Sequence, residues 1–449
     1  MRARPEGFDG SFARALAAIA AGGLALRLVY ILLLTHDLRG QGDSGYYHDL
    51  AAVLADGDGF TDPHSGTPTA LHPPLFPLVL ALGHLAGGDS YVADRVTTSL
   101  IGVAAIVAVG LLARRVAGPR AGLIAAALAA AYPVLIGADG SVMSETLLGL
   151  LVAVTLLAAY GLTDRPGPGR ALLLGALVGL ATLTRGEAAL LIPLLVLPVC
   201  LRLGSRRALT AGLACAAFAI TLAPWTIRNA TTFDRFVPLS TNDGTLVAGA
   251  NCRDTYYGRD IGSWQIDCVP GGPPVDESVA AARYRNAGRD YALDHAGRLP
   301  LVVGARLARS FGVYQPIRQA RHAEGRSDGI EIAGVFAFYL VAAGAVAGAV
   351  ILRRRGRPLL VLCAPVALAA LATAIGYGVP RFRHPADLAL VVLAAVAIDA
   401  AARRRGGRHP RGEVAGATGA GSASASPRGE SRARSRTSRF RLSAGRSTR

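Results

Sequence analysis

The chain has 449 residues, of which 52% are hydrophobic and only 17% charged, and its mean hydropathy is +0.39. Soluble domains carry about 25% charged residues, so this composition favours a membrane protein. The net charge of +17 could indicate nucleic-acid binding, but the excess arginine lies in short connectors and in the C-terminal tail. Membrane proteins place cytoplasmic positive charge at such positions, so we expect no nucleic-acid partner.

Apolar segments of roughly 17 to 25 residues recur along the chain and predict transmembrane helices. We place ten of them near residues 13–35, 94–116, 119–136, 142–163, 170–184, 187–203, 207–224, 331–352, 358–377 and 386–402. Only helices satisfy every backbone group inside lipid in segments of this length. The predicted fold class is therefore an all-α integral membrane protein with about 10 transmembrane helices.

Arginine is concentrated in the connectors that follow every second span. These arginines are Arg114, Arg115, Arg120, Arg165, Arg170, Arg202, Arg206, Arg207, Arg353, Arg354, Arg355, Arg357, Arg403, Arg404 and Arg405. The positive-inside rule makes their common side cytoplasmic. We therefore predict a cytoplasmic N-terminus at 1–12, a membrane domain at 13–402 and a disordered, Arg- and Ser-rich cytoplasmic tail at 403–449.

The stretch 72–88 is apolar, but it begins at His72 with two prolines directly after it and also contains Pro77 and His84. Counting it as a span would invert every later loop. We therefore interpret it as a helix that lies in the outer membrane interface, and the spanning alternative stays open.

The remaining segments are predicted to face outward. They comprise a first outer loop at 36–93, a large outer loop at 225–330 and short turns at 141–145, 184–187 and 378–385. They concentrate Asp, Glu, Arg and His, and ionisable groups at a membrane boundary are functional candidates.

Two of the five cysteines, Cys252 and Cys268, lie in the large outer loop. An oxidising exterior permits a disulfide between them, which we predict, and two unpaired thiols are the alternative. No CxxC or HxxxH spacing accompanies them, so we predict that they do not bind a metal ion. No cofactor is predicted, and the sequence does not decide whether the protein depends on a metal.

Several motifs, taken in order and with their sidedness, resemble one family. They are GDSGYY (42–47), HPPLFPL (72–78), MSE (143–145), LTRGEAALLIP (183–193) and PWTIRN (224–229). The resemblance covers roughly 25–400 and is to the GT-C superfamily of polyprenyl-phosphate-dependent glycosyltransferases. The aminoarabinose and lipid A galacturonic acid transferases are the most similar branch, and the protein O-mannosyltransferases are more distant. The resemblance to this superfamily implies a multi-span core, an interfacial helix in the first outer loop and sugar transfer outside the cytoplasm.

Asp43 is the candidate catalytic residue. It precedes a predicted amphipathic helix at 44–56, and the resemblance assigns the catalytic carboxylate to its position. A carboxylate there can act as general base towards an acceptor hydroxyl. A helix-capping role is the alternative. Ser44 stands where many relatives carry a second acid, which argues against a mechanism that needs adjacent acids.

A lipid-phosphate leaving group needs cationic stabilisation, which arginine supplies well. Arg381, Arg383 and His384 lie at one predicted outer turn and Arg185 at another. We predict that at least two of these residues contact the phosphate, with simple interfacial anchoring as the alternative.

Tyr46, Tyr47 and His72 are predicted to line the sugar pocket, or else to belong to an interfacial aromatic belt. Glu145 and Glu187 could hold sugar hydroxyls or pair with Arg185, and we favour an ion pair for one of them. Arg27 lies inside the first span, and the sequence does not choose among snorkelling, pairing with an acid and reaching phosphate.

No P-loop, dinucleotide fingerprint or HExxH motif is present, which disfavours nucleotide-sugar use and a cytoplasmic site. The predicted function is an inverting hexosyl- or pentosyltransferase of the plasma membrane that moves a sugar from a polyprenyl-phosphate donor to an extracytoplasmic glycan, lipid or protein. A transporter or flippase is the main alternative, but it would show internal repeats, which are not evident. A structural subunit with an inactive GT-C fold is the other, and Asp43 argues against it.

Overall fold

The computed structural model describes residues 10–38, 40, 42–272, 276–321 and 325–406, without the side chains of 405 and 406. Within these ranges the chain is helical, and its only β-type pairing is an isolated bridge between Thr61 and Pro68. The all-α class is therefore confirmed. Most of the predicted N-terminal segment at 1–12 and of the tail at 403–449 lies outside the described residues.

The first half of the chain forms ten α-helices. They are α1 (Gly10–Tyr30), α2 (Asp43–Ala55), α3 (Leu75–Leu85), α4 (Tyr91–Ala117), α5 (Pro119–Ala131), α6 (Pro133–Asp139), α7 (Glu145–Asp164), α8 (Pro168–Thr184), α9 (Leu197–Leu201) and α10 (Arg207–Thr232). A π-helical turn, Ile31–Thr35, extends α1, and the short pieces Gly186–Leu190 and Ile192–Val196 lead into α9.

The second half adds eight further helices within the described ranges. They are α11 (Asn242–Ala250), α12 (Arg253–Tyr256), α13 (Glu277–Asp294), α14 (Leu299–Ser310), α15 (Pro316–Ala320), α16 (Asp328–Arg354), α17 (Leu360–Ile375) and α18 (His384–Gly406).

Among the described residues, six helices are long and apolar enough to cross a membrane, and the bent pair α5–α6 would make seven. The predicted count of about ten is not confirmed. Three predicted spans coincide with the shorter apolar helices Pro168–Thr184, Gly186–Leu201 and Leu360–Ile375. At about 1.5 Å per residue, helices of this size rise less than the roughly 30 Å of a bilayer core. Pro133 separates α5 from α6 with a bend of 59°, because proline cannot continue the hydrogen-bond ladder.

Direct contacts gather the arginine-rich connectors at one end of the bundle, here called the arginine end. These contacts join Arg115 to Asp164, Arg206 to the carbonyl of Pro166, and both Arg120 and Arg403 to Asp399. The contacts place four of the five arginine-rich connectors at one end of the bundle, namely those after the second, fourth, sixth and tenth predicted spans. The cytoplasmic placement of this end stays a prediction.

The opposite end, here called the motif end, carries the segments predicted to face outward. The segment 225–330, predicted as a loop, is largely helical, and α10 continues through Pro224 as far as Thr232. The PWTIRN motif therefore lies in the last turns of a helix and does not open a loop. Arg228 donates to the carbonyl of Thr69 at 2.9 Å, and Glu277 accepts from the Ala70 amide at 3.1 Å. These bonds tie the large segment to the first predicted outer loop.

Helix α2 begins one residue earlier than predicted. Gly42 precedes it with φ 58° and ψ −134°, a backbone conformation that glycine adopts without strain. Tyr46, Tyr47, Leu50 and Ala51 recur at helical spacing and form its buried face. The predicted interfacial stretch 72–88 contains helix α3, and its orientation in a membrane stays a prediction.

A disulfide bond joins Cys252 to Cys268 in the segment between α11 and α13, with an Sγ–Sγ distance of 2.01 Å. The cysteines that the sequence placed in spans, Cys200, Cys215 and Cys363, are free thiols.

Candidate active site

Asp43 is the first residue of α2, and its side chain makes no capping hydrogen bond to that helix. Its carboxylate instead accepts a hydrogen bond from Arg381 Nη2 at 3.2 Å and lies 3.6 Å from His72 Nε2. The side chain remains 31% exposed, so a ligand can reach it. The capping alternative therefore has no hydrogen bond to support it, whereas residues distant in sequence converge on the carboxylate.

The charge state of Asp43 follows from its neighbours. Burial alone would raise the pKa of this carboxyl group, but the charges of Arg381 and Arg185 and the hydrogen bond from Arg381 outweigh that effect and hold the pKa below its ordinary value. Burial lowers the pKa of His72, against the opposing charge of Asp43. Near neutral pH the site therefore offers an ionised carboxylate beside a neutral imidazole.

Two further carboxylates meet a second arginine beside Asp43. Arg185 Nη1 donates to Glu145 Oε1 at 2.9 Å, and Arg185 Nε donates to Glu187 Oε1 at 2.6 Å. The predicted ion pair thus involves both glutamates. Arg381 Nε lies 3.8 Å from the same Glu145 oxygen. We call Asp43, Glu145, Arg185, Glu187 and Arg381 the charged cluster.

Glu145 is the most enclosed member of the charged cluster, with its side chain only 1% exposed. Its second oxygen, Oε2, is buried and has no hydrogen-bond partner among the residues that the structure describes. A buried carboxylate oxygen without a partner is costly. The atom is therefore suited to accept a hydrogen bond from a ligand hydroxyl.

Hydroxyl and aromatic groups surround the cluster. Arg381 Nη2 also donates to Tyr377 Oη at 2.9 Å, and Tyr47 donates to Ser144 Oγ at 3.4 Å. The Tyr47 ring packs on the His72 ring with their centroids 4.6 Å apart. Sequence reasoning missed Tyr377, which ends the predicted span 358–377, although its position four residues before Arg381 was an available signal.

Other predicted site residues lie at different distances from the cluster. Tyr46 hydrogen-bonds to Thr69 Oγ1 at 3.1 Å, and its ring centroid is 5.5 Å from that of His72. His384 is buried against α7, where a Cβ added at Gly149 would lie 2.7 Å from its Nε2. Tyr46 therefore borders the cluster through His72, whereas His384 packs between helices.

Arg383 has a different environment from Arg381. Its Nε donates to Asp387 at 3.0 Å, its Nη1 donates to the Ser310 carbonyl at 2.7 Å, and its guanidinium carbon lies 3.4 Å from the Phe338 ring centroid. The structure thus separates the two arginines that the sequence grouped, and Arg383 connects α14, α16 and α18. Arg27 is likewise paired inside the bundle, with Asp139 at 2.6 Å.

A small cavity adjoins the charged cluster and is partly open to solvent, with a volume of about 30 Å³ for the centres of water-sized molecules. Its walls are mostly apolar, and its polar lining is Arg326, Glu331, Arg381, Arg383 and His384. Arg326 Nη1 pairs with Glu331 at 3.2 Å, and its side chain is 8% exposed. No motif singled out Arg326, because it lies in the segment that the sequence predicted to be a loop.

This architecture is similar to solved glycosyltransferase structures. ArnT from Cupriavidus metallidurans in the apo state matches with a TM-score of 0.57 and 17% identity over 89% of this chain. AglB, the archaeal oligosaccharyltransferase from Archaeoglobus fulgidus in complex with an inhibitory peptide and a dolichol-phosphate, matches with a TM-score of 0.55 and 16% identity over 90% of this chain. The chain has a GT-C fold. The resemblance that the motifs indicated is thereby confirmed, and with the apolar helices it indicates a multi-pass membrane protein.

The match is partial in two respects. This chain covers 62% of the length of the ArnT structure and 53% of that of AglB. Residues 71–227 match the family described as dolichyl-phosphate-mannose-protein mannosyltransferase, which includes the HPPLFPL, MSE and LTRGE motifs but neither Asp43 nor Arg381. No curated protein matches the chain significantly in sequence.

Proposed function

We propose that this protein is a membrane glycosyltransferase that moves a sugar from a polyprenyl-phosphate donor to an acceptor outside the cytoplasm. The observation that carries the proposal is the partly exposed Asp43 carboxylate, held by Arg381 and His72 beside a cavity with apolar walls. The AglB structure contains a dolichol-phosphate, and the matching family is named for dolichyl-phosphate-mannose, which supports a lipid-linked donor.

In the proposed reaction Asp43 acts as the general base. The acceptor hydroxyl loses its proton to the carboxylate while its oxygen forms a bond to the anomeric carbon. The bond from that carbon to the phosphate oxygen breaks, and its electron pair leaves with the lipid phosphate. A single displacement of this kind inverts the configuration at the anomeric carbon.

Arg381 is proposed to bind two partners in turn during the reaction cycle, first Asp43 and then the donor phosphate. Without donor it hydrogen-bonds Asp43 and thereby lowers the basicity of the carboxylate. A phosphate is a competing anion for the same guanidinium. Donor binding would therefore draw Arg381 from Asp43 and raise the pKa of the base when the substrate is in place. Arg326, on the cavity wall, is the second candidate for the phosphate.

Sugar recognition is assigned to the groups beside Arg185. Glu145 Oε2 is an acceptor with no partner among the described residues, and Ser144 and Tyr47 supply hydroxyl groups close by. A site that hydrogen-bonds sugar hydroxyls discriminates strongly against analogues that lack them. We therefore expect deoxy-sugar donors to be poor substrates.

Transfer by the purified protein tests the proposal. The full chain in lipid nanodiscs is incubated with polyprenyl-phosphate donors that carry labelled hexose or pentose, together with membrane extract as acceptor. Asp43→Asn should reduce transfer by about 10²–10⁴-fold, because it removes a general base. Donor retention, measured by native mass spectrometry, should change little.

Asp49→Asn on the same helix is the matched control and should keep transfer. Near-normal transfer by Asp43→Asn would move the search for the base to Asp49, Glu145 and Glu187. Movement of intact lipid across the membrane without transfer would instead favour the transporter or flippase alternative.

A further inference from the structure

A second polar cluster occupies the corner where α2, α3 and α4 meet. His48 comes from the middle of α2, His84 from the last turn of α3 and Asp94 from the first turn of α4. His48 Nδ1 lies 2.6 Å from Asp94 Oδ2, and His84 Nε2 lies 2.9 Å from Asp94 Oδ1. None of the three has a recorded contact with Asp43, so this corner is separate from the charged cluster.

The corner is enclosed, and its carboxylate, Asp94, has no arginine partner among the described residues. The side chains of Asp94 and His84 are 1% and 3% exposed, whereas that of His48 is 24% exposed. Among the described residues, Asp94 forms ion pairs only with these two imidazoles. The neighbouring Arg95 donates instead to the carbonyls of Thr35 and Leu38. A buried carboxylate needs a compensating cation, and a metal ion held by the two imidazoles and Asp94 would supply it.

The three side chains offer the donor set of a transition-metal site. One ligand atom from each residue lies within 4.8 Å of the others. Zinc bonds of about 2.0–2.1 Å in tetrahedral geometry place ligand atoms roughly 3.3 Å apart, so small rotations suffice to admit the ion. Two imidazoles and a carboxylate suit zinc, and the fourth position would face the exposed edge of His48.

We propose that His48, His84 and Asp94 bind a divalent zinc ion that fastens α2 to the corner between α3 and α4. The ion would also fix the position of Asp43, because that residue begins α2 five positions before His48. Contacts of Tyr91 with both Ser44 and the His48 ring connect the same corner to the start of α2. The ion is therefore a positioning element for the helix that carries the candidate base, and its ligands do not touch substrate.

Metal stoichiometry tests this proposal without any activity measurement. The full chain is purified through an affinity tag that contains no histidine, stripped with a chelator, dialysed against zinc and analysed by plasma mass spectrometry. The wild-type protein should retain a single zinc equivalent. His48→Gln and His84→Gln should each lose it, while His36→Gln, at an exposed histidine after α1, should retain it.

Cobalt substitution provides a second readout that does not depend on how well a variant folds. Co²⁺ bound by the wild-type protein should give the intense visible absorption of a four-coordinate site, and zinc should displace it. Wild-type protein that retains no zinc, or His48→Gln protein that retains as much as the wild type, would overturn the proposal. Because neither readout uses sugar transfer, failure here is distinguishable from failure of the proposed glycosyltransferase function.

Discussion

Arginine–carboxylate pairs occur at both ends of this helical bundle, but the two ends use them differently. At the arginine end, Arg115 and Asp164 are 40% and 47% exposed, and each has its partner. At the motif end, Glu145 is 1% exposed and retains a buried oxygen without a partner among the described residues. Ion pairing by itself therefore does not mark a functional site. Burial with an unsatisfied atom does not mark one either, because Asp399 at the arginine end is also only 3% exposed and its Oδ1 has no hydrogen-bond partner among the described residues. The motif end differs because three carboxylates and two arginines from distant parts of the chain converge there.

The largest expected difference between the two ends is their accessibility across the membrane. A cysteine at position 43 should react with a membrane-impermeant thiol reagent added outside intact cells. A cysteine at position 355, in an arginine-rich connector, should react only after permeabilisation, because the positive-inside rule places it in the cytoplasm. Both are made in a background whose free cysteines, Cys200, Cys215 and Cys363, are replaced. Labelling in the reverse pattern would invert the topology and exclude the proposed extracytoplasmic chemistry.

The next largest effect is expected at Glu145. Glu145→Gln removes the buried negative charge beside Arg185 and Arg381 but keeps the size of the side chain. Loss of one partner from a buried pair typically destabilises by about 3–5 kcal/mol, and Glu187 should moderate that cost here. The thermal midpoint of the detergent-solubilised protein should fall clearly, and sugar transfer should fall with it. An unchanged midpoint would show that the charged cluster is solvated and does not behave as a buried ion-pair network.

A smaller effect is expected on the pH dependence of transfer. Arg381 contributes to holding the pKa of Asp43 below its ordinary value, so Arg381→Ala should let that pKa rise. The carboxylate would then become protonated at a higher pH, and the acidic limb of the kcat/KM profile should move upward in pH. KM for the donor should also increase. Arg253→Ala, at an exposed arginine of α12, is the control. If the acidic limb stays at the same pH in Arg381→Ala, Arg381 does not influence the pKa of the catalytic base.

The smallest effect is expected at the arginine end. Asp164→Asn breaks the exposed pair with Arg115, and such pairs contribute at most about 1 kcal/mol. Thermal midpoint and transfer should both remain close to wild type. A loss comparable to that of Glu145→Gln would abolish the distinction between the two ends.

Several features of the site could be predicted from the sequence because they depend on local pattern. Helical spacing predicted α2, and the motif order brought Asp43, His72, Glu145 and Arg185 into consideration together. The structure confirms the GT-C fold. It places Asp43 3.6 Å from His72 and Glu145 2.9 Å from Arg185, with Arg381 beside both carboxylates. The sequence did not predict that one arginine, Arg185, would hold two glutamates.

The tertiary structure decided the rest. Arg381 and Arg383 are only two residues apart, but they lie in the 3₁₀ turn Pro380–Arg383, where side chains two positions apart point in different directions. One therefore meets Asp43 and the other meets Asp387. The predicted count of about ten spans is not confirmed, because hydropathy measures how apolar a segment is and not where a proline or a turn ends its helix. Other features of the molecule are formed only when helices separate in sequence pack together. They are Tyr377, Arg326 and the corner of His48, His84 and Asp94. The sequence alone thus determined the apolar helices and the arginine-rich connectors, whereas packing between helices determined which charges meet.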